Sequence, residues 1–110
     1  RSMKVVLDHT IPQALRPLLS GEHEVHTTKY LGWSDYEDHQ LLTAAVEASF
    51  AALVTLDRSL PHQQETQASP LGIIVLDVHP TTPAHLKTHM DRVQKAVPRA
   101  GSDQSVIVLE

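Results

Sequence analysis

Three carboxylates are spaced so that they could share one cation. Asp8 follows the apolar run Met3-Lys4-Val5-Val6-Leu7, Asp57 follows Ala52-Leu53-Val54-Thr55-Leu56, and Asp38 opens an amphipathic stretch. Two acids at strand ends and a third at a helix start would suit a hard divalent ion. Mg²⁺ or Mn²⁺ takes a few carboxylate oxygens and keeps water in its remaining positions. Such an ion can activate a water for attack on a phosphodiester. The same acids also have an ordinary structural use. A strand-end Asp caps the turn that follows it, and a first-turn Asp is favoured by the helix dipole. His9, beside Asp8, would stand at the same rim.

The elements that must position these residues are legible from periodicity. Short apolar runs that end abruptly in polar residues read as strands buried on both faces, the pattern of a parallel sheet covered by helices. Met3–Leu7, Ala52–Asp57 and Ile73–Leu76 have that form, Ser105–Leu109 reads as a final strand, and Glu22–Thr27 is polar enough for an edge strand. Between them, Thr10 and Pro12 predict a helix start that runs to Leu19, burying Leu15, Leu18 and Leu19 before Gly21. Residues 29–36 read as a loop, with Trp33 packed over the edge of the core. Ser34-Asp35-Tyr36-Glu37 has the form of a capping box and predicts a helix over 36–49. Its stripe is Leu41, Leu42, Ala45, Val46 and Ser49, with Asp38 near the middle and Gln40 facing solvent. The polar stretch 59–69 has room for a short helix. Thr82-Pro83 predicts a last helix to about Val97, ended by Pro98 and Gly101. The expected fold is a three-layer α/β/α unit with a mostly parallel five-stranded sheet, strand one lying beside the Ala52–Asp57 strand. Two strand-end acids then meet at the carboxyl rim, where open α/β sheets bind ligands.

Composition narrows the functional classes. The 110 residues fit one domain, spanning 3–110, with Arg1-Ser2 read as an expression remnant. Hydrophobic residues form 41% and aromatics 4%, so the core is aliphatic. A net charge of −4 argues against a phosphate grip spread over the whole surface. Absence of cysteine rules out disulfides and thiolate metal sites and fits a reducing cytoplasm. No apolar run approaches the roughly 20 residues that span a bilayer, so a cytoplasmic, non-membrane protein is expected.

Other chemistries find little footing. No glycine follows strand one, against a phosphate-cradling loop, and Ser20, Ser34 and Ser59 lack a nucleophile-elbow context. A phosphoacceptor role for Asp57 lacks the paired acids and downstream Lys it would need. Among eight histidines, His85 and His89 sit one turn apart at ligand spacing. No acid or third histidine joins them in phase, and surface histidines are the ordinary outcome. His23 and His26 fall on opposite faces of a strand.

Val5-Val6-Leu7-Asp8-His9-Thr10-Ile11-Pro12, Gly21-Glu22-His23-Glu24-Val25, Leu31-Gly32-Trp33-Ser34, Asp38 before Leu41-Leu42, and Val54-Thr55-Leu56-Asp57-Arg58 occur in this order. Together they resemble the short PIN-like proteins, a minimal branch of the PIN nuclease superfamily that includes toxins of toxin–antitoxin modules. The resemblance covers nearly the whole chain through Leu76. It implies a compact α/β/α fold and an acidic cluster binding Mg²⁺ or Mn²⁺ for RNA cleavage. It puts Asp8, Asp38 and Asp57 on the family's acidic positions, as metal ligands and catalytic residues, and in a ribonuclease of this type His9, Arg58 and Ser59 would be the substrate contacts. The partners it implies are an RNA substrate, an antitoxin protein and a second copy in a homodimer. Departures are His9 where the family has an acid, Thr10 where Asn is common, and Ser59 where a second acid follows Asp57. Losing such a carboxylate weakens the hold on a cation. The alternative is therefore a catalytically inactive PIN-like module acting through protein–protein contact.

Overall fold

A computed structural model of the protein describes residues 3–62 and 70–110. Five strands, β1 (Lys4–Leu7), β2 (Glu24–Thr27), β3 (Ala52–Thr55), β4 (Gly72–Leu76) and β5 (Val106–Leu109), form one sheet in the order β2-β1-β3-β4-β5. Every neighbouring pair is parallel. Among the described residues the helices are α1 (Arg16–Leu19), α2 (Thr28–Leu31), α3 (Asp38–Glu47), α4 (Pro83–Lys87) and α5 (Met90–Asp103). Short 3₁₀ turns cover Gln13–Leu15 and Leu60–His62.

Alternation along the strands builds the layers. Val5, Leu7, Val54, Ile74 and Leu76 point to one face and pack with Leu15, Leu19, Leu86, Val93 and Val97 of α1, α4, α5 and the first 3₁₀ turn. Val6, Leu53, Ile73 and Val75 point the other way, onto Leu41, Leu42 and Ala45 of α3 and onto Phe50. The three-layer α/β/α expectation holds, β1 and β3 are neighbours, and β2 is an edge. The sheet is wholly rather than mostly parallel: the connections from β1 to β2, β2 to β3 and β4 to β5 run through helices, and no described connection is a hairpin.

Local boundaries differ where side chains found other uses. Thr10 does not cap a helix; it bonds Asp8, and helical structure begins only at Gln13. Leu18 is exposed, since the four-residue α1 buries only Leu19. Residues 28–31 are helical where a loop was expected, with the Thr27 hydroxyl accepting from Tyr30 N–H and Gly32 closing the turn at φ 78°. The capping box of α3 is Glu37 with Gln40, not Ser34 with Glu37. Tyr36 N–H instead closes a turn on Trp33 C=O, its ring stacked on the indole. Trp33 also meets Phe50 edge-on, over the core as expected. α3 ends at Glu47, and Ser49 lies in the left-handed region at φ 67°. Phe50 N–H bonds Ala45 C=O and Ser49 N–H bonds Val46 C=O, the two bonds of a Schellman ending that turns the chain into β3.

Pro98 and Gly101 lie inside α5 rather than beyond it. The apolar face continues through Val97 and Ala100, both buried, so packing outweighs the N–H that proline lacks. Gly101 serves close approach instead: a Cβ there would stand 2.5 Å from Met3 Sδ. In the stretch 59–69 the described part holds the Leu60–His62 turn; residues 63–69 lie outside the described residues.

Candidate functional site

The strand order 2-1-3-4-5 fixes where a site should form. From β1 the chain steps to one side for β2, then crosses back to β3 and continues outward through β4 and β5. Neighbouring connections diverge at the carboxyl ends of β1 and β3, and ligands of open α/β sheets bind in that crevice. Asp8 leaves β1 and Asp57 leaves β3 at this point.

A hydroxyl ridge joins the two chain segments. Asp8 Oδ1 accepts from Thr10 N–H at 2.9 Å and from the Thr10 hydroxyl. Asp8 Oδ2 accepts from the Thr55 hydroxyl at 2.5 Å. Thr55 Oγ1 in turn accepts Asp57 N–H at 3.0 Å, and Thr10 Oγ1 accepts Leu56 N–H at 2.9 Å. Asp8 is 4% exposed. Burial pushes its carboxyl above the usual range, although the Thr10 and Thr55 hydroxyls, the Thr10 amide and nearby His9 all act to lower it.

Asp57 is less enclosed. Its Oδ1 accepts from Ser59 N–H at 2.9 Å and from the Ser59 hydroxyl at 2.7 Å, the Asx-type capping that a strand-end Asp can do without any ligand. Ser59, proposed to touch substrate, is thus bonded to Asp57. Arg58 is exposed, with Nη1 3.8 Å from Asp77 Oδ2.

The acids face different hollows. Asp8 lines a cavity of about 240 Å³ with His9, Thr27, Thr28, Lys29 and Ser34. Asp57 lines a larger one of about 640 Å³ with Arg58, Ser59, Asp77, Val106 and Val108. Asp38 begins α3 and lines neither. Among the described residues no three His, Asp or Glu side chains are grouped to hold one ion. Two carboxylates completed by water and a phosphate would suit Mg²⁺ chemically, and a cation would offset the cost of ionising buried Asp8. The three-acid cluster is not gathered.

Asp77 is the residue that sequence reasoning missed. It follows the buried strand Gly72–Leu76 just as Asp8 follows β1. Its N–H bonds Leu109 C=O at 2.8 Å, and His79 Nε2 lies 3.8 Å from its other oxygen. The signal was present: a third apolar run ending in Asp. His23 also differs from the surface reading, being buried, with Nδ1 accepting Met3 N–H at 3.2 Å. Among the described residues no helix is long and apolar enough to cross a membrane. Compared with known proteins, the chain matches no family model, no curated protein and no solved structure.

Proposed function

We propose that the chain is a PIN-like, metal-dependent ribonuclease with a thinned acidic site, working as the toxin of a toxin–antitoxin pair in the cytoplasm. The observation that carries this reading is the placement of Asp8 and Asp57 at the carboxyl ends of adjacent parallel strands, where the connections diverge. In this reading Asp8 and Asp57 hold Mg²⁺ or Mn²⁺, with Asp38 as a further acid, and His9 and Arg58 meet the RNA. The ion would supply Lewis-acid activation of water toward the phosphodiester. Arg58 is the side chain suited to a phosphate, by charge and by its planar donors. The test is cleavage of labelled single-stranded RNA with Mn²⁺, Mg²⁺ or EDTA, comparing wild type with Asp57→Asn. Metal-dependent cleavage lost in the variant is expected. Equal cleavage in both proteins, or none in either, overturns the reading.

The bonding of Asp8 favours a second reading. Both its oxygens are engaged by threonine donors, so the strongest acid position already serves as a structural tie between β1 and β3. A catalytically silent PIN-like module would then act by protein–protein contact, as a homodimer or beside an antitoxin-like partner. Light scattering of the purified protein reads its oligomeric state. Stoichiometric Mn²⁺ binding with turnover of RNA would remove this reading.

A further inference from the structure

Two imidazoles face each other at the joint between α4 and α5. His85 belongs to α4 and His89 precedes α5 by one residue. The backbone is bonded across the joint, His89 N–H to Leu86 C=O at 2.9 Å and Val93 N–H to His89 C=O at 3.1 Å. The two Nε2 atoms therefore stand one helical turn apart and 3.4 Å from each other, the rings inclined at 70°. Both residues are partly exposed, so an ion can reach them.

That separation is the bite of a tetrahedral chelate. Two metal–nitrogen bonds of ~2.0–2.1 Å at the tetrahedral angle place their nitrogens ~3.3–3.4 Å apart. We propose that His85 and His89 form a two-histidine site for a divalent transition cation of borderline softness, with water completing the coordination. The tetrahedral bite is that of Zn²⁺, while Cu²⁺, which favours tetragonal geometry, is in general the stronger binder of imidazole. The site is independent of the ribonuclease reading and of the hard-cation chemistry at Asp8 and Asp57.

Arg92 sets the tautomer of metal-free His89. Its Nη1 donates to His89 Nδ1 at 2.9 Å while its Nη2 donates to Glu110 C=O at 2.8 Å. An acceptor Nδ1 leaves the hydrogen of neutral His89 on Nε2, pointing at His85 Nε2. Metal binding moves that hydrogen: Nε2 gives its lone pair to the ion, and Nδ1 takes the proton. Arg92 must then leave Nδ1, and its charge opposes the incoming cation. Arg92 is thus a brake on the site.

The test is calorimetric titration of the full chain with Cu²⁺ and Zn²⁺ near pH 7.5, with nitrogen hyperfine structure of the Cu²⁺ complex counting ligands. Wild type is expected to bind one Cu²⁺ through two nitrogens, and Zn²⁺ more weakly at the same place. His85→Ala and His89→Ala should each weaken binding at least ~10-fold with an unchanged circular dichroism spectrum. Arg92→Ala should bind more tightly than wild type. Absence of saturable binding, binding that survives in both histidine variants, or weaker binding in Arg92→Ala overturns the proposal.

Discussion

Thr55 holds Asp8 from across the sheet: its hydroxyl donates to Asp8 Oδ2 while accepting Asp57 N–H, so one side chain ties both rim acids together. Thr55 is fully buried. Replacing it by the nearly isosteric valine removes a donor to a buried carboxyl and strands an amide. Thr55→Val should cost about 1–3 kcal/mol in urea unfolding, whereas Thr55→Ser should keep most of the stability. Loss of that bond should also raise the Asp8 carboxyl further, read by carboxyl-carbon NMR across a pH titration.

Asp8 makes stability fall as pH rises. Its folded-state affinity for a proton exceeds the unfolded-state affinity, so the native state binds more protons between the ordinary Asp value of 3.8 and the raised one. Its penalty is relieved as pH falls through that window and stands in full above it. Asp8→Asn should therefore fold and be at least as stable as wild type at pH 7–8, with the advantage shrinking toward pH 4. A urea-midpoint series over that range measures it. A variant advantage that grows on acidification would contradict the burial account.

Ser49 occupies a left-handed position that glycine takes without a Cβ penalty. Because both Schellman bonds are backbone bonds, Ser49→Gly leaves them intact. The expected gain is about 1 kcal/mol, visible as a raised melting temperature.

Gly72 opens β4 directly beneath α5. A Cβ there would stand 2.5 Å from the Ala100 carbonyl carbon, which is backbone and cannot rotate aside. Gly72→Ala should destabilise by about 1–3 kcal/mol or more. Ala100→Gly, added to it, should give no rescue. Full recovery in the double variant would show that a side chain, not the helix backbone, sets the spacing.

The layers were readable because burial on both faces leaves an unmistakable mark. Val5-Val6-Leu7 and Ile73-Ile74-Val75-Leu76 have no polar alternation to blur, and the strand-end acids follow them directly. What escaped were choices between equally good local partners. Thr10 suits a helix N-cap as well as an Asx turn on Asp8, and only the nearness of Thr55 decides it. Ser34 and Glu37 can both cap a helix, and the Trp33–Tyr36 stack shifts the start onward. Pro98 reads as a stop until Ala100 is known to face the core. At the site, sequence put Asp8 and Asp57 on one rim but could not foresee that the Thr10–Thr55 ridge would turn them toward separate hollows, or that Asp77 would join Asp57.

The central position of β1 carries a kinetic consequence. β1 pairs with β2, about twenty residues on, and with β3, whose Val54 is the partner of Leu7. A chain emerging in order leaves one edge of this buried strand without a neighbour until Val54 has appeared. Pairings this distant in sequence form slowly and expose sticky intermediates meanwhile. Asp8 and Thr55 are forty-seven positions apart, so their contact closes only when the two halves of the sheet dock. Any activity at that rim waits for β1 and β3 to pair.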